Sequence, residues 1–130
     1  MLRRHFVLKL LAASVLAAPA LAGGNRYKFT SFDVPEEDRF MTITEHDDAD
    51  FSYSKSYLGI ARSDDLVMIQ ITANNTRTVE RKKALYRQIV ANLSTNPGVR
   101  PEDVLINLVE VLPENWSFGN GVAQYATAKS

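Results

Sequence analysis

Residues 34–45 read VPEEDRFMTITE, and residues 99–110 read VRPEDVLINLVE. The two stretches share a valine, a proline, acidic residues and an aspartate in nearly the same order, and each ends on a glutamate seven positions after its aspartate. The two aspartates, Asp38 and Asp103, lie 65 positions apart in a chain of 130 residues. Self-similarity at half of the chain length predicts two copies of one structural unit.

The second copy indicates what the unit contains. Residues 66–72 form a nearly continuous apolar run, which is typical of a strand covered on at least one face. Thr78 can cap a helix that begins at Val79, and the sequence Asn-Pro-Gly at 96–98 ends that helix. A second strand is predicted at 105–111. A strand, a helix and a strand of this length predict a βαβ unit with parallel strands and the helix on one face.

Two such units predict an α+β fold, a two-layer sandwich in which a four-stranded sheet carries two helices. We expect the two strands that end on Glu45 and Glu110 to lie side by side, related by a pseudo-twofold axis. A single domain of this size buries a limited core, so oligomerisation is a natural way to cover more apolar surface.

The first 22 residues favour a different interpretation of the first unit, because they have the three parts of a secretory signal. Basic residues at Arg3, Arg4 and Lys9 precede the apolar run 10–16, and small residues end at Ala22. This predicts a signal peptide at 1–22, a domain at 23–130, and a periplasmic or secreted protein if the signal is used, otherwise a cytoplasmic one. The run is too short for a stable membrane span. The alternative is that these residues form the first strand and helix.

Composition excludes several classes of function. Cysteine is absent, which removes disulfides and thiolate chemistry. The two histidines, His5 and His46, are far apart without a patterned third ligand, so neither a metal nor a cofactor is predicted. The formal net charge is zero, and the basic residues of the first 22 positions leave the remainder mildly acidic. Nucleic-acid binding needs clustered cations, and it is therefore not predicted.

The pattern from Val34 to Tyr125 resembles the tautomerase superfamily and, within it, the malonate semialdehyde decarboxylase-like branch. The segment Trp-Ser-Phe-Gly at 116–119 is the most specific piece, and the match covers about 90 residues. The other matching pieces are 34–36, Asp38, Arg39, Gly59, Arg62, Ser63, Arg77, Lys82, Pro101, Asp103, Val104, Val109 and Glu110.

The resemblance implies a tautomerase/MIF-like fold of two βαβ units, assembled as a homotrimer and acting on a small keto or unsaturated carboxylic acid. Tautomerisation, decarboxylation and hydration are the reactions of the family. An N-terminal proline acts there as general base or acid, while arginines bind the substrate carboxylate or carbonyl. Leu2 stands where that proline is expected. An exported or truncated relative without catalysis is therefore the alternative.

The resemblance also assigns site residues. Asp38 matches the active-site aspartate and Arg77 the second of two paired arginines, whereas Asn74 or Asn75 stands in place of the first. Trp116 and Phe118 match aromatic residues that wall the pocket. The residues alone leave other roles open, because Asp38 could cap a turn as Asp103 could, Arg77 could be a solvated surface residue, and the two aromatic side chains could simply pack.

Overall fold

The computed structural model describes residues 4–11, 16–17, 27–28, 38 and 40–126. Four strands form one mixed sheet in the order β4-β1-β5-β6. The strands of this sheet are β1 (Arg4–Leu11), β4 (Phe40–Asp47), β5 (Val67–Asn74) and β6 (Val104–Val111). A second, two-stranded antiparallel sheet pairs β2 (Leu16–Ala17) with β3 (Tyr27–Lys28). Within the described ranges, the α-helix is α1 (Val79–Thr95).

The second half of the chain is the βαβ unit that the sequence predicts. Strands β5 and β6 pair in parallel, from Val67 opposite Val104 to Asn74 opposite Val111, and α1 connects them. The helix begins as expected, because the Thr78 hydroxyl accepts a hydrogen bond from the backbone N–H of Arg81.

Alternating residues of β5 form the core with one face of the helix. The buried side chains are Val67, Ile69, Ile71, Ala73, Leu85, Ile89 and Leu93. Each large apolar side chain that is fully buried contributes roughly 1.5–3 kcal/mol relative to leaving it exposed. The period of two in the strand and of about four in the helix therefore fixes which face of β5 the helix covers.

The strands that end on the two glutamates lie at opposite edges of the sheet, not side by side as the repeat led us to expect. Strands β1 and β5 occupy the centre, and β4 and β6 flank them. Strands β1 and β5 pair with each other, which leaves each of them one further edge. Strand β4 pairs with that edge of β1 and β6 with that edge of β5, so β4 and β6 cannot be neighbours.

The first half differs from the second in strand direction. Strand β1 runs antiparallel to β4 and parallel to β5, so the described part of the first unit lacks the parallel pairing of a βαβ unit. Strand β1 also lies within residues 1–22, whose apolar character equally suits a covered central strand and a signal peptide. The predicted cleavage point at Ala22 lies outside the described residues, and the signal peptide remains a prediction.

A buried polar contact fixes the segment that precedes β5 to the turn that precedes β6. Asp103 is fully buried, and its carboxylate accepts hydrogen bonds from the Ser63 backbone N–H at 2.7 Å and from the Ser63 hydroxyl at 2.6 Å. The Arg100 guanidinium lies 3.8 Å from the same carboxylate. Asp103 therefore has a structural role.

Candidate active site

The predicted site residues converge at one end of the sheet. Strand β1 is parallel to β5, and its last residue, Leu11, pairs with Phe40 at the start of antiparallel β4. The start of β4 consequently lies at the end of the sheet where β5 finishes. A ring contact across this end, 6.1 Å between the centroids of Phe40 and Phe118, joins β4 to the segment that follows β6.

Asp38 lies two residues before β4 and is half-buried. Both of its carboxylate oxygens are buried, and neither has a hydrogen-bond partner in the described part of the chain. Burial raises the pKa of this carboxyl, and the positive charge of Arg77 partly offsets the rise. A buried polar group without a partner is unfavourable for folding, which makes Asp38 a candidate for binding or catalysis.

Arg77 lies in the short connection between β5 and α1, directly before the helix-capping Thr78. Its side chain is half-buried, and one guanidinium nitrogen lies 3.3 Å from the Thr76 hydroxyl. This position combines a permanent cation with the positive end of a helix dipole, and both favour an anion. The charge of Arg77 acts on the Asp38 carboxyl, so the two residues lie near each other, and their roles in a site remain a prediction.

Tyr125 joins this pair, although the sequence analysis assigned it no role. Burial raises the pKa of its phenol, the negative charge of Asp38 raises it further, and the charge of Arg77 partly offsets the rise. Tyr125 therefore stays protonated at neutral pH and keeps an O–H donor near the two charged groups. The sequence signal that could have indicated it is an aromatic residue four positions after Gly121, close to a segment that already contains two aromatic side chains.

Trp116 and Phe118 form an aromatic wall beside these groups. Their rings are stacked, with centroids 5.3 Å apart and an interplanar angle of 11°. The Tyr125 ring meets Phe118 edge-on at 5.0 Å and 70°. The indole N–H of Trp116 donates a 2.7 Å hydrogen bond to the side-chain oxygen of Asn74, the last residue of β5. Four residues from two distant parts of the sequence are therefore in one contiguous cluster.

The segment between Phe118 and Tyr125 closes on itself. The Phe118 backbone N–H donates to the Gln124 side-chain oxygen at 2.9 Å, and the Gln124 amide donates back to the Gly119 carbonyl at 3.1 Å. Gly119 and Gly121 have φ values of +139° and +67°, which glycine adopts without steric strain. These two glycines thus allow a tight loop that returns Tyr125 to Phe118.

Asn75 is the predicted site residue that contributes least to the cluster. Its side chain is exposed, and its backbone N–H donates to the Val111 carbonyl at 3.0 Å, which ties the ends of β5 and β6 together. A substrate contact by Asn75 remains a prediction. Leu2, which stands in place of the catalytic proline, lies outside the described residues.

The described residues contain no group of three or more histidine, aspartate or glutamate side chains arranged to hold a metal ion. Among the same residues, no helix has the length and the apolar character that crossing a membrane requires. What the site offers is one carboxyl group, one guanidinium, a phenol and aromatic walls, a set that suits binding and proton transfer on a small organic anion.

Comparison with known proteins identifies the family of the chain. The family described as tautomerase enzyme matches residues 38–119. The chain is 46% identical over 92 residues to the probable tautomerase YusQ of Bacillus subtilis strain 168, a match covering 71% of this chain and 72% of that protein. The chain therefore belongs to the tautomerase superfamily.

Solved structures place it within the superfamily. A structure of malonate semialdehyde decarboxylase, determined to explain decarboxylase and hydratase activities, superimposes with a TM-score of 0.72 at 26% identity, over 94% of this chain and 95% of that one. The FG41 malonate semialdehyde decarboxylase, inhibited by 3-bromopropiolate, gives a TM-score of 0.72 at 30% identity, over 94% of each chain. The fold is thus tautomerase/MIF-like, and the chain is a member of the malonate semialdehyde decarboxylase-like branch.

Proposed function

We propose that this protein is an enzyme that interconverts the keto and enol forms of a small carboxylic acid, with Asp38 transferring the proton and Arg77 binding the carboxylate. The observation that carries the proposal is the Asp38 carboxyl group, which is buried, has no hydrogen-bond partner among the described residues and lies within the electrostatic influence of Arg77. Decarboxylation and hydration of related acids are variants of the same proposal, since a similar enzyme has both activities.

The proton transfer follows from the environment of Asp38. Burial makes its carboxylate a stronger base than an exposed one, because the charged form is less well solvated. In the proposed reaction the carboxylate removes a proton from the carbon beside the substrate carbonyl, and the electron pair moves to the carbonyl oxygen. The protonated Asp38 then returns the proton to that oxygen, which completes the change from keto to enol.

The charge that develops on the substrate oxygen needs stabilisation, and Arg77 and Tyr125 are the groups that can supply it. The guanidinium offers several N–H donors in a fork that matches a carboxylate or an enolate. The neutral phenol of Tyr125 offers an O–H donor close to the same charges. The aromatic wall of Trp116 and Phe118 suits the flat, conjugated part of an enolisable acid.

We propose a homotrimer as the working assembly. Members of this family usually oligomerise, and the face of the sheet turned away from α1 supports the proposal. Leu105 and Val109 both lie on that face of β6, and each is 38% exposed in the single chain. Sedimentation analysis at several protein concentrations tests it, with a mass of one chain as the contradicting outcome.

The alternative is a relative that retains the fold and a binding role without turnover. One observation favours it: Leu2 stands where the family resemblance expects a proline whose secondary amine is the general base. In the catalytic proposal, Asp38 has to act without that amine.

Assays on the purified chain distinguish the two. Phenylpyruvate tests tautomerisation, and malonate semialdehyde tests decarboxylation. We expect Asp38→Asn to lower turnover by roughly 10²–10⁴, the usual contribution of a general base. The matched controls are Asp50→Asn and Arg87→Ala, two exposed positions outside the cluster, which leave turnover unchanged.

Two outcomes would contradict the catalytic proposal. One is a wild-type chain that turns over neither acid, and the other is an Asp38→Asn variant as active as wild type. The Leu2→Pro variant then tests the missing base. Activity that appears only in this variant assigns catalysis in the family manner to an N-terminal proline and leaves the natural chain as a binding protein.

A further inference from the structure

Asn74 has a fixed position at the end of the sheet. It is the last residue of β5 and lies opposite Val111, the last residue of β6. The next backbone N–H, that of Asn75, donates to the Val111 carbonyl at 3.0 Å. Pairing with β6 therefore fixes the backbone at Asn74 and Asn75, and with it the point from which the Asn74 side chain extends.

Trp116 comes from a separate segment, 42 residues later in the sequence. It follows a short 3₁₀ turn, Pro113–Asn115, in which the Asn115 N–H donates to the Leu112 carbonyl at 2.9 Å. The indole N–H then donates to the Asn74 side-chain oxygen at 2.7 Å, and the indole is half-buried. A direct hydrogen bond of this length in a partly buried position fixes the place of the indole nitrogen and the direction of its N–H bond.

The orientation of the indole is passed on through ring contacts. Trp116 stacks on Phe118, and Phe118 contacts the rings of both Tyr125 and Phe40. Stacked and edge-on pairs have preferred geometries, so a tilt of the first ring has to be accommodated by the others. The hydrogen bond from Trp116 to Asn74 links this group of rings to the end of β5.

We infer that Asn74 is a positioning residue, which holds Trp116 and through it the aromatic wall in the orientation that the substrate meets. The inference rests on the proposed function for the substrate and on the observed hydrogen bond for the positioning. It changes the role expected of Asn74, from a contact with the substrate in place of an arginine to a support behind the aromatic wall.

The chemistry of the two groups makes the arrangement directional. An indole nitrogen only donates, so the carbonyl oxygen of the Asn74 amide must face Trp116 and its NH₂ group must face elsewhere. An arginine at this position has no acceptor and could not hold the indole in this way. Asparagine thus provides a support that the paired arginine of related sites could not provide.

Spectroscopy tests the positioning without any substrate, because Trp116 is the only tryptophan of the chain. Asn74→Leu keeps the approximate shape and removes the acceptor. We expect its tryptophan emission to move to longer wavelength and its near-ultraviolet circular dichroism to weaken, as the indole is released towards solvent. Asn74→Asp keeps an oxygen that accepts from the indole and should restore both signals.

The matched control is Asn107→Leu, the same substitution on neighbouring β6, where the Asn107 side chain accepts a hydrogen bond from Gln70 and not from Trp116. It should leave the emission unchanged. An Asn74→Leu variant that folds, as shown by an unchanged far-ultraviolet spectrum, and keeps the wild-type emission and near-ultraviolet signals would overturn the inference. If Asn74→Leu does not fold, the Asn74→Ser variant, with a shorter side chain, replaces it in the same comparison.

Kinetics separate positioning from direct substrate binding. Trp116→Phe keeps an aromatic ring and removes the indole N–H. If Asn74 acts through Trp116, Asn74→Leu raises KM about tenfold in the wild-type background, the effect of losing one hydrogen bond, and has little further effect in the Trp116→Phe background. Equal losses in both backgrounds would show direct substrate contact and overturn the inference.

A wild-type chain without measurable turnover contradicts the proposed function alone. The spectroscopic comparison still decides the role of Asn74 in that case, because it requires only the folded protein and its single tryptophan.

Discussion

Asp38 and Asp103 hold equivalent positions in the repeated sequence but have opposite hydrogen-bonding states. The Asp103 carboxylate accepts bonds from the Ser63 backbone and hydroxyl, whereas the Asp38 carboxylate has no hydrogen-bond partner among the described residues. A duplicated motif has thus kept one aspartate as a structural acceptor and leaves the other buried beside Arg77. The two carboxyl groups should therefore respond to substitution in opposite ways.

Asp38→Asn should raise stability while lowering turnover. The pKa of Asp38 is higher in the folded chain than in an exposed carboxyl group, so the folded state binds this proton more tightly than the unfolded state does. The stabilisation linked to that proton is complete at acid pH and is lost as the pH rises through the folded-state pKa. At neutral pH the buried carboxylate therefore destabilises the fold, and we expect its replacement by the neutral amide to raise the free energy of unfolding.

Urea unfolding of wild type and Asp38→Asn at several pH values measures this effect. The difference between the two should shrink as the pH falls from the raised pKa towards the ordinary carboxyl value. A variant that is less stable than wild type at neutral pH contradicts the assignment of Asp38 as an unsatisfied group.

Asp103→Asn should do the reverse, destabilising the chain without a direct effect on chemistry. The amide keeps one acceptor but places an NH₂ group against donors of Ser63, so one of the two short hydrogen bonds is lost in a fully buried position. We expect a loss of about 2 kcal/mol. Ser63→Ala, which removes the hydroxyl alone, should show a smaller loss. Equal stability of Asp103→Asn and wild type would argue against the structural role.

The elements of the second half could be predicted from sequence because their signals are local. The strands expected at 66–72 and 105–111 are observed at Val67–Asn74 and Val104–Val111, and the helix begins at Val79 behind its predicted cap. Apolar periodicity and turn residues act over a few positions, so the sequence alone contains this information.

The site was predictable only where family resemblance supplied it. Nothing local distinguishes Asp38 from Asp103, since the difference lies in what surrounds each carboxyl group in the folded chain. The contact between Asn74 and Trp116 joins residues 42 positions apart, and no periodicity indicates it. Tyr125 was missed for the same reason, because its proximity to Asp38 depends on how the glycine-rich loop folds back.

Removing the charge of Arg77 should move the pH dependence of turnover. The Arg77 cation lowers the pKa of Asp38, against the larger rise caused by burial. In Arg77→Ala that lowering is lost, so the pKa of Asp38 rises further and the acid limb of the pH–rate profile moves to higher pH. Arg77→Lys keeps the charge and should leave the acid limb of the profile in place. Turnover should fall, because a lysine cannot bind a carboxylate in a bidentate manner.

The measurement is kcat as a function of pH for the three proteins. A limb that stays in place in Arg77→Ala would mean that Asp38 is not the group whose ionisation controls turnover. Movement in both variants would instead indicate that the precise shape of the guanidinium, and not its charge, sets the pKa.

Deletion of residues 1–22 tests two incompatible uses of the same segment. In the structure, β1 lies between β4 and β5, and β4 pairs with β1 within the described sheet. The deletion removes this central strand, exposes an edge of β5 and separates β5 from β4, the strand that follows Asp38. Exposed strand edges promote aggregation, and we expect the shortened chain to lose cooperative unfolding and turnover together.

Intact-mass measurement of the protein isolated from its own cell completes this test. A mass that includes residues 1–22 agrees with their use as a sheet strand. A processed chain that begins at Gly23, unfolds cooperatively and retains turnover would show that the domain folds without β1, and it would establish the export signal instead.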